Sequence, residues 1–218
     1  MKTEDLIVDL ACDARPVQPL ARPVVRLARW AGLAMPAVAA GSAVIGLRAD
    51  VLDTIDQPAF LALLAATLLT ALVSALCAFL SSVPGGARAD IQRIAPLLAA
   101  TAWLVVLMFL VSAGGSPVRR LAAMPVHIAC IIEIALLGAL TGWPLFVMLR
   151  RAAPLDRGWS AAIAALAAAA LGAGATQVLC PIDDPAHHLA GHFTPVVLLA
   201  IAGMFFGPRH LDWLGGRR

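Results

Sequence analysis

Six long apolar runs alternate with short polar segments along this chain, at roughly Trp30–Leu47, Phe60–Val83, Ile94–Ala113, Val126–Leu149, Trp159–Leu179 and Phe193–Phe206. Most approach the ~20 residues that an α-helix needs to cross ~30 Å of hydrocarbon. The runs are continuous and rich in Ala and Leu, without the period-two alternation of a lipid-facing barrel strand, so they predict helices. Backbone polar groups inside a bilayer must bond within their own segment. The pattern therefore predicts an all-α membrane protein, a six-transmembrane-helix bundle with a short cytosolic N-terminal helix. The last run is the shortest. The fifth, Ala161 to Ala175 with Gly172 and Gly174, is dominated by small residues that let helix backbones approach, and is expected near the centre.

Residues 1–29 are the one sizeable polar segment, which divides the chain into 1–29 and a membrane unit, 30–218, with a short cytosolic tail. Thr3 is a candidate N-cap, with Glu4 and Asp5 in the first turn where the helix dipole favours negative charge. A helix from there to about Ala14 would place Leu6, Ile7, Leu10, Ala11 and Ala14 on one face and Asp5, Asp9 and Asp13 on another. Pro16, Pro19 and Pro23 are expected to break it and to form an extended spacer. Such a helix is too short to be stable alone; it either stays frayed or folds on a partner that covers its apolar stripe. No cleavable signal sequence is expected, because Asp9 interrupts the run Leu6–Val8.

Composition sharpens the class: 61% hydrophobic and 13% charged residues leave too little polar surface for a soluble globule. If the first span leaves the cytoplasm, only Arg48, Arg119 and Arg120 of the 16 Lys+Arg lie outside, which predicts both termini in the cytoplasm. The net charge of +3 is then a topology signal and not a nucleic-acid footprint, which would need a basic stripe with interleaved aromatics. Trp30, Trp143, Trp159 and Trp213 are expected as anchors at the inner boundary, and Trp103 falls in mid-helix.

Reactive side chains gather toward the opposite face. His127, Cys130 and Glu133 recur at three-residue steps at the start of the fourth span, and Cys180 opens an expected loop that runs through His187 and His188 to His192. In an oxidising compartment Cys130 and Cys180 can form a disulfide if their Cα atoms come within ~7 Å. Reduced, they can bind a soft or borderline metal with His187, His188 or His192, the first candidates being Cys130, Cys180, His187 and His192. In the bland alternative Cys130 packs as a small apolar residue and the His-rich loop is merely solvated. Glu133, inside the hydrocarbon, is either a site residue or a protonated group bonded to a neighbouring helix. Cys77 and Cys12 are expected apart from the outer pair.

Enzyme signatures are missing: there is no CxxC, Gly-rich phosphate loop, HExxH or GxSxG. No catalytic residue is assigned and no resident cofactor expected, beyond a transient metal ion. A substrate path would also show more intramembrane ionisable groups than Glu133.

The opening Met1-Lys2-Thr3-Glu4-Asp5-Leu6-Ile7, the exit Gly46-Leu47-Arg48-Ala49-Asp50 with Pro58-Ala59-Phe60 after it, Pro84-Gly85, Cys130, and the Cys180 segment with Asp183, Pro185, His187 and His192 together resemble the NrsF family. These are anti-sigma factors of the bacterial inner membrane. The resemblance implies that residues 1–29 hold an extracytoplasmic-function (ECF) sigma factor away from RNA polymerase; the helix pattern itself makes Leu6, Ile7 and Leu10 partner-binding candidates, together with the acidic stripe Asp5, Asp9 and Asp13, which could cover a basic surface of that factor. It also implies a signalling role for Cys130 and Cys180, beside which His127, Glu133, His187, His188 and His192 are the sensing candidates. A small membrane redox or metal-binding enzyme using the same outer cluster is the alternative.

Overall fold

The computed structural model describes residues 3–12, 19–83, 89–113, 127–152 and 154–211, and among them there is no strand. Six helices are long and apolar enough to cross a membrane. In chain order the elements are α1 (Thr3–Cys12), α2 (Pro23–Ile45), the one-turn α3 (Val51–Thr54), α4 (Pro58–Ser81), α5 (Ala89–Ala113), α6 (Ile128–Arg150), α7 (Arg157–Gln177) and α8 (Pro185–Arg209).

The fifth span, α7, is the axis of the bundle. Of its most apolar window 83% is buried, against 17% for α2, and it packs on α4, α6 and α8. Small side chains make this possible, as expected from the sequence. A Cβ on Gly172 would come within 2.8 Å of the Ile134 carbonyl oxygen and 3.0 Å of the Gly138 nitrogen, so α6 and α7 touch backbone to backbone there. Close approach supplies dispersion contacts where lipid offers no hydrophobic drive for helix association.

Local chemistry moves two boundaries from where the sequence placed them. Pro23, expected in the extended spacer, sits at the start of α2, because a first-turn residue needs no N–H and its fixed φ already suits a helix. The leader helix is described only to Cys12, so Asp13 and Ala14 lie outside the described residues. The expected His-rich loop is largely helix: Asp184 accepts from the Ala186 N–H and caps a helical turn at Pro185–His187. A π segment, His188–Phe193, follows and then α-helix over Thr194–Phe206.

Trp30 is also corrected. It is not a boundary anchor but lies fully buried, its Nε1–H donating to the Thr141 carbonyl at 2.9 Å. Trp103 is buried edge-on to Phe193 at 5.0 Å between ring centres. Trp143 is exposed on the bundle surface, Trp159 is half-buried, and Trp213 lies outside the described residues.

The antiparallel order of the spans gives the bundle two ends. One holds the starts of α2 and α7 and the ends of α4, α6 and α8, and is called the leader end; the other holds the Cys and His residues. On α1, Leu6, Ile7, Val8 and Leu10 are exposed and no residue is buried.

Candidate functional site: a buried thiol and imidazole cluster

Two spans, α6 and α8, and the connector between α7 and α8 build the cluster. Cys130 lies in the first turn of α6, Cys180 three residues beyond α7, and His187 and His192 near the start of α8. One potential ligand atom from each lies within 4.8 Å of every other, and all four residues are buried. The Cys130 thiol donates toward Cys180 Sγ at 3.5 Å, while His187 Nε2 stands 3.6 Å from Cys130 Sγ and 3.4 Å from Cys180 Sγ.

The π segment explains how two imidazoles five residues apart meet. On a regular α-helix, residues five apart are turned by about 140° from one another. A π turn bonds i to i+5 and stacks them. His187 and His192 accordingly approach to 5.3 Å between ring centres.

These distances suit a four-coordinate ion. Metal–sulfur bonds of ~2.3 Å and metal–nitrogen bonds of ~2.0–2.1 Å in a tetrahedron imply ligand–ligand edges of ~3.5–3.8 Å for sulfur pairs and sulfur–nitrogen pairs. The three edges among Cys130, Cys180 and His187, at 3.5, 3.6 and 3.4 Å, need little adjustment, and the His192 ligand atom lies within 4.8 Å of the other three. Two thiols and two imidazoles form a soft to borderline donor set that favours Zn²⁺-like or Cu⁺-like cations over Mg²⁺ or Ca²⁺. Donation from Cys130, and the neighbouring His187 and His192 rings, hold the Cys180 thiol below its ordinary range against the opposing cost of burial. Thiolate is the form that binds metal or attacks an electrophile.

Other expected site residues fall around this core. His188 stands behind it, its Nδ1 3.3 Å from His192 Nδ1. His127 meets the His187 ring edge-on at 5.4 Å. Glu133 lies one turn deeper on α6 than Cys130 and is not in the four-ligand set; its Oε2 is buried without a hydrogen-bond partner among the described residues. Cys77 is buried in α4 and Cys12 is exposed at the end of α1, both outside the cluster. A cavity of about 490 Å³ between α6, α7 and α8 is lined by none of the four cluster residues.

Arg48, in the sequence an outer charge within the Gly46–Asp50 segment, is the hub behind the cluster. Its side chain is 1% exposed. It donates to both carboxylate oxygens of Asp50 at 2.7 and 2.8 Å, to both of Asp183 at 2.6 and 2.7 Å, and to the Cys180 carbonyl at 3.1 Å. Those bonds raise the guanidinium above its ordinary value, and in return Arg48 lowers the Asp50 carboxyl. A charged residue just past a span and two acidic residues are the available signal, but nothing in their spacing pairs them.

A family model described as NrsF, negative regulator of sigma F, matches residues 10–213. No curated protein and no solved structure matches the chain.

Proposed function

We propose that this chain, which belongs to the NrsF family, negative regulator of sigma F, is a membrane-held anti-sigma factor whose leader captures an ECF-type sigma factor in the cytoplasm. The observation that carries this reading is α1: four large apolar side chains, Leu6, Ile7, Val8 and Leu10, stand exposed on a ten-residue helix. A helix of that length needs a partner's groove to be stable. Asp5 and Asp9, with Asp13 beyond the described helix, would flank that groove and complement a basic surface of the sigma factor. The excess of basic residues at the leader end supports the reading that this end faces the cytoplasm, with the bundle in the inner membrane. No direct contact with nucleic acid enters this reading.

Release follows from a change at the Cys130, Cys180, His187 and His192 cluster, either capture of a soft cation or oxidation of the paired thiols. Four protein ligands close a tetrahedron and leave no position for a substrate, which favours sensing over catalysis. The competing reading is a metal-dependent membrane enzyme at the same cluster, and it needs such an open position.

Purification of the full chain from detergent-solubilised membranes, with mass spectrometry of what accompanies it, tests the proposal. A stoichiometric sigma factor is the expected companion. A chain that turns over a substrate with metal bound and retains no sigma factor would replace this reading with the enzyme.

A further inference from the structure

Three polar ties fix α2 to the bundle, and they lead to opposite halves of the cluster. Just beyond its last residue, Arg48 holds the Cys180 carbonyl and Asp183, and the Arg48 N–H donates to the Val178 carbonyl at 3.3 Å. Further along, Trp30 Nε1–H donates to the Thr141 carbonyl of α6. In the first turn Arg26 donates to the Met148 carbonyl of α6 at 2.9 Å and to the Ser82 hydroxyl at 2.8 Å, with its guanidinium 4.5 Å from the centre of the Phe79 ring. Thus α2 is fastened at one end to the segment that carries Cys180 and along its other half to α6, the helix that carries Cys130. It is also the least buried of the six spans, and the leader joins it directly at Arg22.

We infer that Arg48 is a positioning residue that converts a change in spacing between Cys130 and Cys180 into a tilt of α2, and so into movement of the leader's root. The inference rests on the reading of the cluster as the sensor. Any shift of the Cys180 segment against α6 alters the separation of the two fastenings of α2, which must then tilt or lose one of them. Packed helices change between discrete arrangements and do not stretch. The fastenings are unequal. Arg48 grips two carboxylates through paired charge-assisted bonds, the strong class. Arg26 bonds to neutral acceptors and makes no ion pair among the described residues. Strain therefore releases α2 at Arg26, four residues from where the leader joins.

The test uses the full chain in membranes with Cys12 and Cys77 replaced by Ser, a thiol-reactive fluorophore on Arg22→Cys, and Cd²⁺ as the probe. Cd²⁺ binding is followed by thiolate-to-metal absorbance and movement by fluorescence, alongside Cd²⁺ induction of a sigma-dependent reporter in cells. Arg48→Gln is expected to bind Cd²⁺ while its fluorescence change and induction fall about threefold or more, the size expected for a residue in a coupling network. Full fluorescence change and full induction in that variant would overturn the inference. So would loss of Cd²⁺ binding, since Arg48 would then shape the site instead of transmitting from it. If Arg48→Gln fails to accumulate, Asp183→Asn removes half of the grip and is judged by the same criteria. A Cys130→Ser chain that still induces fully would mark failure of the sensor reading itself, and not of Arg48.

Discussion

Cys130 and Cys180, fifty positions apart in sequence, bring their sulfurs to 3.5 Å in the buried end of the bundle. That is well beyond the ~2.05 Å of a disulfide and close to the edge of a metal tetrahedron. One atom set can thus answer either to a cation or to an oxidant, in opposite senses: a disulfide would draw α6 and the Cys180 segment together, while a cation with metal–sulfur bonds of ~2.3 Å or more would spread the sulfurs slightly.

Replacing either sulfur by oxygen is expected to abolish the response. Cys130→Ser and Cys180→Ser should each lock sigma-dependent reporter expression in one state, and the double variant should behave like either single one, because the residues act as a unit. Cys12→Ser and Cys77→Ser should induce like wild type. Reporter assays with and without a thiol-reactive stress across the four single variants decide this; normal induction in both cluster variants would return the thiols to a packing role.

The exposed face of α1 yields the second expectation. Leu6→Asp with Leu10→Asp would press two carboxylates against an apolar groove, at a cost on the order of several kcal/mol. Constitutive sigma factor activity at normal protein level is the expected result, measured by reporter and pull-down. Intact repression would mean that capture does not use this face.

Neutralising the acidic side should act differently. Asp5→Asn with Asp9→Asn and Asp13→Asn is expected to slow association mildly and flatten its dependence on ionic strength, since rim charges mainly steer encounter. Binding kinetics at two salt concentrations measure it, and an unaltered salt dependence would remove electrostatics from the docking account.

Gly172→Val tests the axis of the bundle. Its side chain would enter the space held by the Ile134 carbonyl and the Gly138 backbone, neither of which can rotate aside. Overpacking of this kind costs about 1–3 kcal/mol. The detergent-solubilised variant should melt at a visibly lower temperature; an unchanged melt would show that α6 and α7 separate easily.

The Arg48 grip carries a pH signature through Asp50. A carboxyl lowered by its folded partner stabilises the fold above its unfolded value and loses that contribution as pH falls through the folded one. The stability difference between wild type and Asp50→Asn should therefore persist from neutrality down to pH ~4, the ordinary carboxylate value, and close only below it. Thermal melts across that range check this, and a gap that closes well above pH 4 would mean that Arg48 does not hold Asp50.

Much of this molecule is legible in its sequence because the membrane imposes length and apolarity on each span independently. The small-residue composition of α7 likewise announces a centre, since only small side chains permit the contact at Gly172. Cys130 and Cys180 could be placed toward one face by counting spans, although their separation could not. What escaped depends on partners distant along the chain. Arg48 looks like one outside charge until Asp50 and Asp183 are folded around it. Trp30 looks like an interfacial anchor until α6 presents the Thr141 carbonyl. The capped turn at Pro185 was in reach, for Asp followed by Pro is a recognised helix start. The π segment had no such marker.

That segment gives the last span two phases. Up to His192 its positions are set by the imidazoles they bring together; beyond it, by the fit of Gly203 and Gly207 against Ala161. A regular α-helix through the same residues, without the wide turn, would rotate one phase against the other by about 100°. Either the imidazoles or the glycine seam would then face lipid. The wide turn is thus what lets this span carry one extra residue without a change of helix face.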